Sequence, residues 1–161
     1  MRLLLLAAAA LARPEELLQR GTTAYNAGDA AQAHRAFVQL STDTTAPPHL
    51  RAQAYQGLAA LAQRRGDPVE AAAHVEHAVA TCDDGTCDAQ LRATFFEARG
   101  VLKRGAGDFD EAVAAFTQCA SLDADRACDA ALARLFHHNG RLADAPHHYL
   151  RAVQALSLIH I

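Results

Sequence analysis

The chain of 161 residues has no tryptophan, one methionine, and a single lysine, Lys103, among its 15 basic residues. Isoleucine is absent until Ile159 and Ile161. Aromatic residues make up 6% of the sequence, and glycine and proline contribute only 9 and 5 positions. So few β-branched and aromatic residues exclude a β-sandwich, and 51% hydrophobic content excludes a disordered tail. The charge balance is weakly acidic, with a formal net charge of -3. That argues against nucleic acid or an anionic membrane as the main partner, because phosphate-rich surfaces demand concentrated positive charge. What remains is alanine, 39 residues of it. An alanine-packed helical protein of one-domain length is expected.

The two ends differ from the body. Met1-Arg2 precedes Leu3 to Leu6, Ala7 to Ala10 and Leu11-Ala12. A basic start, a short apolar run and an Ala-x-Ala-like end form an export signal over residues 1–12. The run is about half the length of a membrane span, and no later stretch is long and apolar enough to cross a bilayer. At the other end, Leu156-Ser-Leu-Ile-His-Ile161 carries the only isoleucines and resembles the translation of a sequencing-library adapter. Residues 156–161 are therefore read as a foreign tail, with the true protein continuing beyond about residue 155. The intervening residues 13–155 form the folded part.

Within that part a unit recurs. Gly28-Asp29, Gly66-Asp67 and Gly107-Asp108 are three related turns, and Asn139-Gly140 is a fourth. Helical patterns flank each one. Glycine accepts the left-handed conformation that closes one helix, and the aspartate after it caps the next. Gln32, Glu70 and Glu111 lie three residues beyond the aspartates, the spacing of a capping box. Pro68 falls where a first helical residue needs no N–H. Self-similarity at a period of 33 to 41 residues marks a repeat protein.

These residues resemble the tetratricopeptide repeat (TPR) family. Its small position in the first helix falls on Gly21, Ala59, Gly100 and Ala133. Its small position in the second helix falls on Ala33, Ala71, Ala112 and Ala145. The large residue four places later is Phe37, Val75, Phe116 and Tyr149. The next small position holds Leu40, Ala78, Cys119 and Ala152, with Leu40 out of pattern. The bulky position early in the first helix reads Leu17, Tyr55, Phe96 and Asp129, and Asp129 is a mismatch. Pro146 is awkward inside the last helix. The resemblance implies an all-α fold, a right-handed α-solenoid of four repeats over about 14–47, 52–85, 93–125 and 126–155.

Insertions lengthen two repeats. Ser41 to Pro48 is a loop by composition. The other contains Cys82-Asp-Asp-Gly-Thr-Cys87, and Cys119 and Cys128 bracket the following junction. Sequence proximity favours disulfides Cys82–Cys87 and Cys119–Cys128, which would suit an exported chain. Reduced buried thiols and a zinc site remain alternatives, Cys119 suiting the first by its packing position. Neither intervening length matches a familiar zinc motif.

Nine histidines are present, with doublets at His137-His138 and His147-His148, and His74 and His77 share a helix face. Adjacent helical residues diverge by about 100°, so at most one of each doublet could join a metal site. Solvated or groove-lining histidine is the preferred reading, and no metal or cofactor is expected. Asp83, Asp84 and Asp88 read as a solvated loop. No phosphate loop, nucleophile elbow or zinc-peptidase motif is present, and no catalysis is expected of these residues.

In the resembled family the first helices line a concave groove for a peptide or partner helix. Carried across, that surface comprises Tyr25, Asn26, Gln56, Gln63, Arg64, Glu97, Arg104, Arg134, His137 and His138. The subclass that binds chaperone tails uses lysine and asparagine where this chain has Leu18 and Thr22, so that subclass is rejected. The expectation is a periplasmic or secreted module that scaffolds a protein or peptide partner. The alternative is the non-catalytic repeat region of a larger exported peptidase or cell-wall enzyme.

Overall fold

The computed structural model describes residues 13–82, 85–122, 127–140, 146 and 150. The export signal, Asp83, Asp84, the positions Ala145, Tyr149 and Ala152, the doublet His147-His148 and the 156–161 tail lie outside the described residues. The chain divides into two compact units, Met1–Thr81 and Cys82–Ile161. The first holds α1 (Pro14–Asn26), α2 (Ala30–Thr42), α3 (Pro48–Arg64) and α4 (Pro68–Thr81). The second holds α5 (Ala89–Ala106), α6 (Phe109–Leu122) and α7 (Ala127–His138). Every described element is a helix, and within each unit successive helices pack as α-hairpins. This is the all-α fold of helical-hairpin repeats.

The turns explain the hairpins. Gly28, Gly66, Gly107 and Gly140 all take positive φ, between 72° and 83°. At the first, Gly28 N–H donates to the Tyr25 carbonyl and Asp29 N–H to the Ala24 carbonyl, at 3.1 and 2.9 Å. That pair closes α1, and the same aspartate opens α2 by accepting from Gln32 N–H at 2.9 Å. Asp67 repeats both roles, with its N–H on the Ala62 carbonyl and its carboxylate accepting from Glu70 N–H at 2.9 Å. One residue thus ends one helix and begins the next. Asp29→Ala and Asp67→Ala should each lower stability by about 1 kcal/mol. Denaturant titration against a surface control such as Gln39→Ala checks this, and a loss equal to the control's would contradict it.

The capping boxes do not close as the sequence suggested. The Glu70 carboxylate turns away from the cap to Arg65 and to His74 Nε2, the latter at 3.5 Å. The Arg65 hydrogen bond is the main influence holding Glu70 below the usual carboxylate range. Glu111 reaches Lys103 Nζ at 2.7 Å, and that hydrogen bond likewise lowers its pKa. A long cation nearby outcompetes the backbone N–H for these exposed carboxylates.

The insertions are also shorter than composition indicated. Ser41 and Thr42 belong to α2, and Pro48 is the first residue of α3, so the irregular link is residues 43–47. Asp43 organises it by accepting from both the N–H and the hydroxyl of Thr45, at 2.9 and 2.6 Å. Extra residues enter the first helices instead: α3 has 17 residues and α5 has 18, against 13 in α1.

Packing follows the small and large alternation. Ala33, Ala71 and Ala112 are fully buried, and Phe37, Val75 and Phe116 are at most 3% exposed. In the first unit the Phe37 ring lies between two glycines. A Cβ added at Gly21 of α1 would come within 2.5 Å of one edge of the ring, and a Cβ at Gly57 of α3 within 2.5 Å of the other. Gly100 stands in the same relation to Phe116, at 2.7 Å. Where the first helix carries Ala59 in place of glycine, its partner helix carries the smaller Val75. The sizes compensate, which close packing requires.

Three positions depart from the expected pattern. Leu40 occupies a small-residue site yet is wholly buried, in a core shared with Leu17, Ala46, Leu50 and Leu58. In α5 it is Phe95 that is buried, at 1% exposure, while Phe96 is only partly so. Asp129, the mismatch, is fully buried on α7 among the residues following Cys128.

Candidate functional site

The first helices of the first two repeats, α1 and α3, enclose a cleft of about 430 Å³. From α1 it receives Leu18, Thr22, Tyr25 and Asn26, spaced so that all four share one helix face. From α3 it receives Gln53, Gln56, Gly57 and Ala60, again one face. The Phe37 ring of α2 forms the floor. The glycine matters here because a side chain at 57 would meet that ring.

At one end of the cleft Arg64 crosses from α3 to α1. Its Nη1 donates to the Tyr25 carbonyl at 2.9 Å, and its guanidinium carbon stands 3.5 Å from the Tyr25 ring centroid. The last turn of α1 contains no basic residue, so Arg64 supplies the cation that its exposed carbonyls favour. Stacking on the ring adds a cation–π contact, about 0.5–1 kcal/mol at an exposed site.

Of the residues that sequence placed on a binding surface, Tyr25, Asn26 and Gln56 line this cleft, and Arg64 is joined to Tyr25. Gln63 is exposed near the end of α3. The others belong to the second unit: Glu97 and Arg104 on α5, and Arg134, His137 and His138 on α7, all exposed. The rings of His137 and His138 meet edge to face at 5.9 Å. Gln53, Gly57 and Ala60 were missed by sequence reasoning. Their signal was available as positions six and two before, and one after, the small residue Ala59.

His74 and His77 do share a face of α4, and Tyr55 lies against both, with ring centroids 6.3 and 5.1 Å away. Stacking on Tyr55 and the approach to Glu70 account for them. Among the described residues no group of three or more metal-ligating side chains converges. Both cysteine pairs stand at bonding distance, with Cα atoms 5.4 Å apart for Cys82–Cys87 and 5.9 Å for Cys119–Cys128. Among the described residues no helix is long and apolar enough to cross a membrane.

Serial hairpins with a buried small-and-large code and a cleft between first helices define the TPR-like class. Solved structures bear this out for the fold. The chain is similar to MamA, with a TM-score of 0.75 and 18% identity over 96% of this chain and 85% of that one. It is similar to a thermophilic TPR protein of Thermus thermophilus, with a TM-score of 0.59 and 24% identity, covering 88% and 73% of the two chains. The Cut9–Hcn1 hetero-tetramer of APC/C also matches, with a TM-score of 0.71 and 17% identity over 89% of this chain but 27% of its own. No family model matches the sequence, and no curated protein does.

Proposed function

We propose that this chain is an exported, non-catalytic interaction module of the bacterial envelope, holding a peptide segment of a partner protein against the first helices of its repeats. The observation that carries this reading is the α1–α3 cleft, which gathers polar side chains over an apolar floor on the face where TPR-like folds present their first helices. Half-apolar clefts with a few convergent polar groups are the usual form of a binding site. The two cysteine pairs support an oxidising compartment, since such bonds persist outside the reducing cytosol. Tyr25, Asn26, Gln56 and Gln63 are the binding residues in the first unit, and Arg64 acts there by holding Tyr25. Glu97, Arg104, Arg134, His137 and His138 are those of the second.

Photo-crosslinking tests it. A benzophenone side chain at Gln53, inside the cleft, should give a discrete adduct in the cells that make the protein. The same group at Gln39, exposed on α2, should give none. Equal adduct yields from both positions, or none from either, would sink the proposal.

A further inference from the structure

We infer that the α1–α3 cleft accepts an uncharged, extended stretch of peptide and seats one aliphatic side chain over the floor formed by Phe37 and Gly57. This rests on the groove reading above and narrows it to a ligand chemistry. Among the described residues the lining contains no carboxylate, ammonium, guanidinium or imidazole, and its one ionisable group is the Tyr25 phenol. Arg64, the cation joined to this cleft through Tyr25, is already committed to the Tyr25 carbonyl and ring. A ligand carboxylate entering here would lose water without gaining an opposite charge, which is strongly unfavourable. Gln53, Gln56 and Asn26 each offer an amide, with donor and acceptor side by side. That is the complement of a peptide group, which likewise pairs a donor with an acceptor.

The apolar contribution comes from Leu18, Phe37 and Ala60, and it calls for an aliphatic side chain in the ligand. At about 430 Å³ the cleft lies within the roughly 300–1,000 Å³ of ligand sites, enough for one side chain and its flanking peptide groups. The second unit shows that the neutrality is particular to the first. Three residues before the small position, Leu18 of α1 corresponds to Glu97 of α5. One residue after it, Ala60 of α3 corresponds to Arg134 of α7. The same two register positions are apolar in one unit and oppositely charged in the other.

The test uses the purified, oxidised full chain on an array of random decapeptides, each presented with a free and with an amidated C-terminus. Peptides bound are then synthesised and titrated by fluorescence anisotropy against wild type, Gln56→Glu and Thr22→Lys. Gln56→Glu is nearly isosteric, and Thr22 is exposed, so the fold is retained and circular dichroism verifies it. The expected peptides share an uncharged core with an aliphatic residue, bind regardless of amidation, and vary little between low and high salt. Both variants should weaken them by about tenfold or more. Acidic peptides that need a free carboxylate and release in salt would overturn the neutral-ligand inference while leaving the groove reading intact. Absence of any bound decapeptide, or binding indifferent to both variants, would overturn the groove reading and this inference with it.

Discussion

Phe37→Ala should cost the first unit about 3–5 kcal/mol, a large share of the roughly 5–15 kcal/mol that holds a typical domain together. The ring is 3% exposed and fills the space between α1 and α3, and α2 offers no other side chain of that size to that space. The glycines facing it should behave in an unusual way. Alanine normally gains about 1 kcal/mol over glycine inside a helix. At Gly21 or Gly57 the added Cβ would press on opposite edges of the ring, at 2.5 Å in each case. Escape from one contact drives the ring into the other. Gly21→Ala and Gly57→Ala are therefore expected to destabilise by about 1–3 kcal/mol as overpacking, despite the better helix propensity. In the Phe37→Ala background each should change sign and become stabilising. A double-mutant cycle by denaturant unfolding reads this coupling directly. Additive effects would show that the ring and the glycines do not share the site described.

Most of this fold was legible in the sequence because its rules are local. A Gly-Asp turn, with the glycine closing one helix where the next begins, can be read from two letters, and all three pairs form it. The small and large positions of the second helices follow at fixed offsets from each turn glycine, and those described are buried. What escaped was decided by neighbours in space. Glu70 and Glu111 had the capping-box spacing, but Arg65 and Lys103 drew their carboxylates away. Phe95 and Phe96 are adjacent aromatics, and the spacing named Phe96, which packs against the core in part, without signalling that Phe95 is the buried ring. Gly57 carried no signal in the sequence, yet it is half of the socket for Phe37.

The cleft was half legible for a related reason. Positions carried over from a resembled family named Tyr25, Asn26 and Gln56, and these meet in space. The same carry-over named Arg64. The structure ties it to the end of α1. A family position predicts where a side chain starts, whereas its partners decide what remains for a ligand.

Removing the Cys119–Cys128 link should cost the second unit about 2–3 kcal/mol. The two residues are nine apart in sequence, and closing a loop of roughly ten residues removes that much entropy from the unfolded chain. The bond joins the end of α6 to the start of α7, and both sulfur-bearing residues are buried, at 1% and 0% exposure. Cys119 also occupies the repeat's small-residue position in the core, beside Phe116 and Leu132. Cys119→Ala with Cys128→Ala is the suitable variant, because alanine leaves no unsatisfied polar group there. Its midpoint should fall by roughly 10–20 °C. Hydrogen exchange should accelerate most in α6 and α7. Because the sulfurs are sequestered, reductant alone should act slowly on the native chain and quickly in denaturant. Protein purified from an oxidising compartment should show no titratable thiol until reduced. Four thiols in unreduced, denatured protein would remove both links, and with them the main support for an extracytoplasmic location.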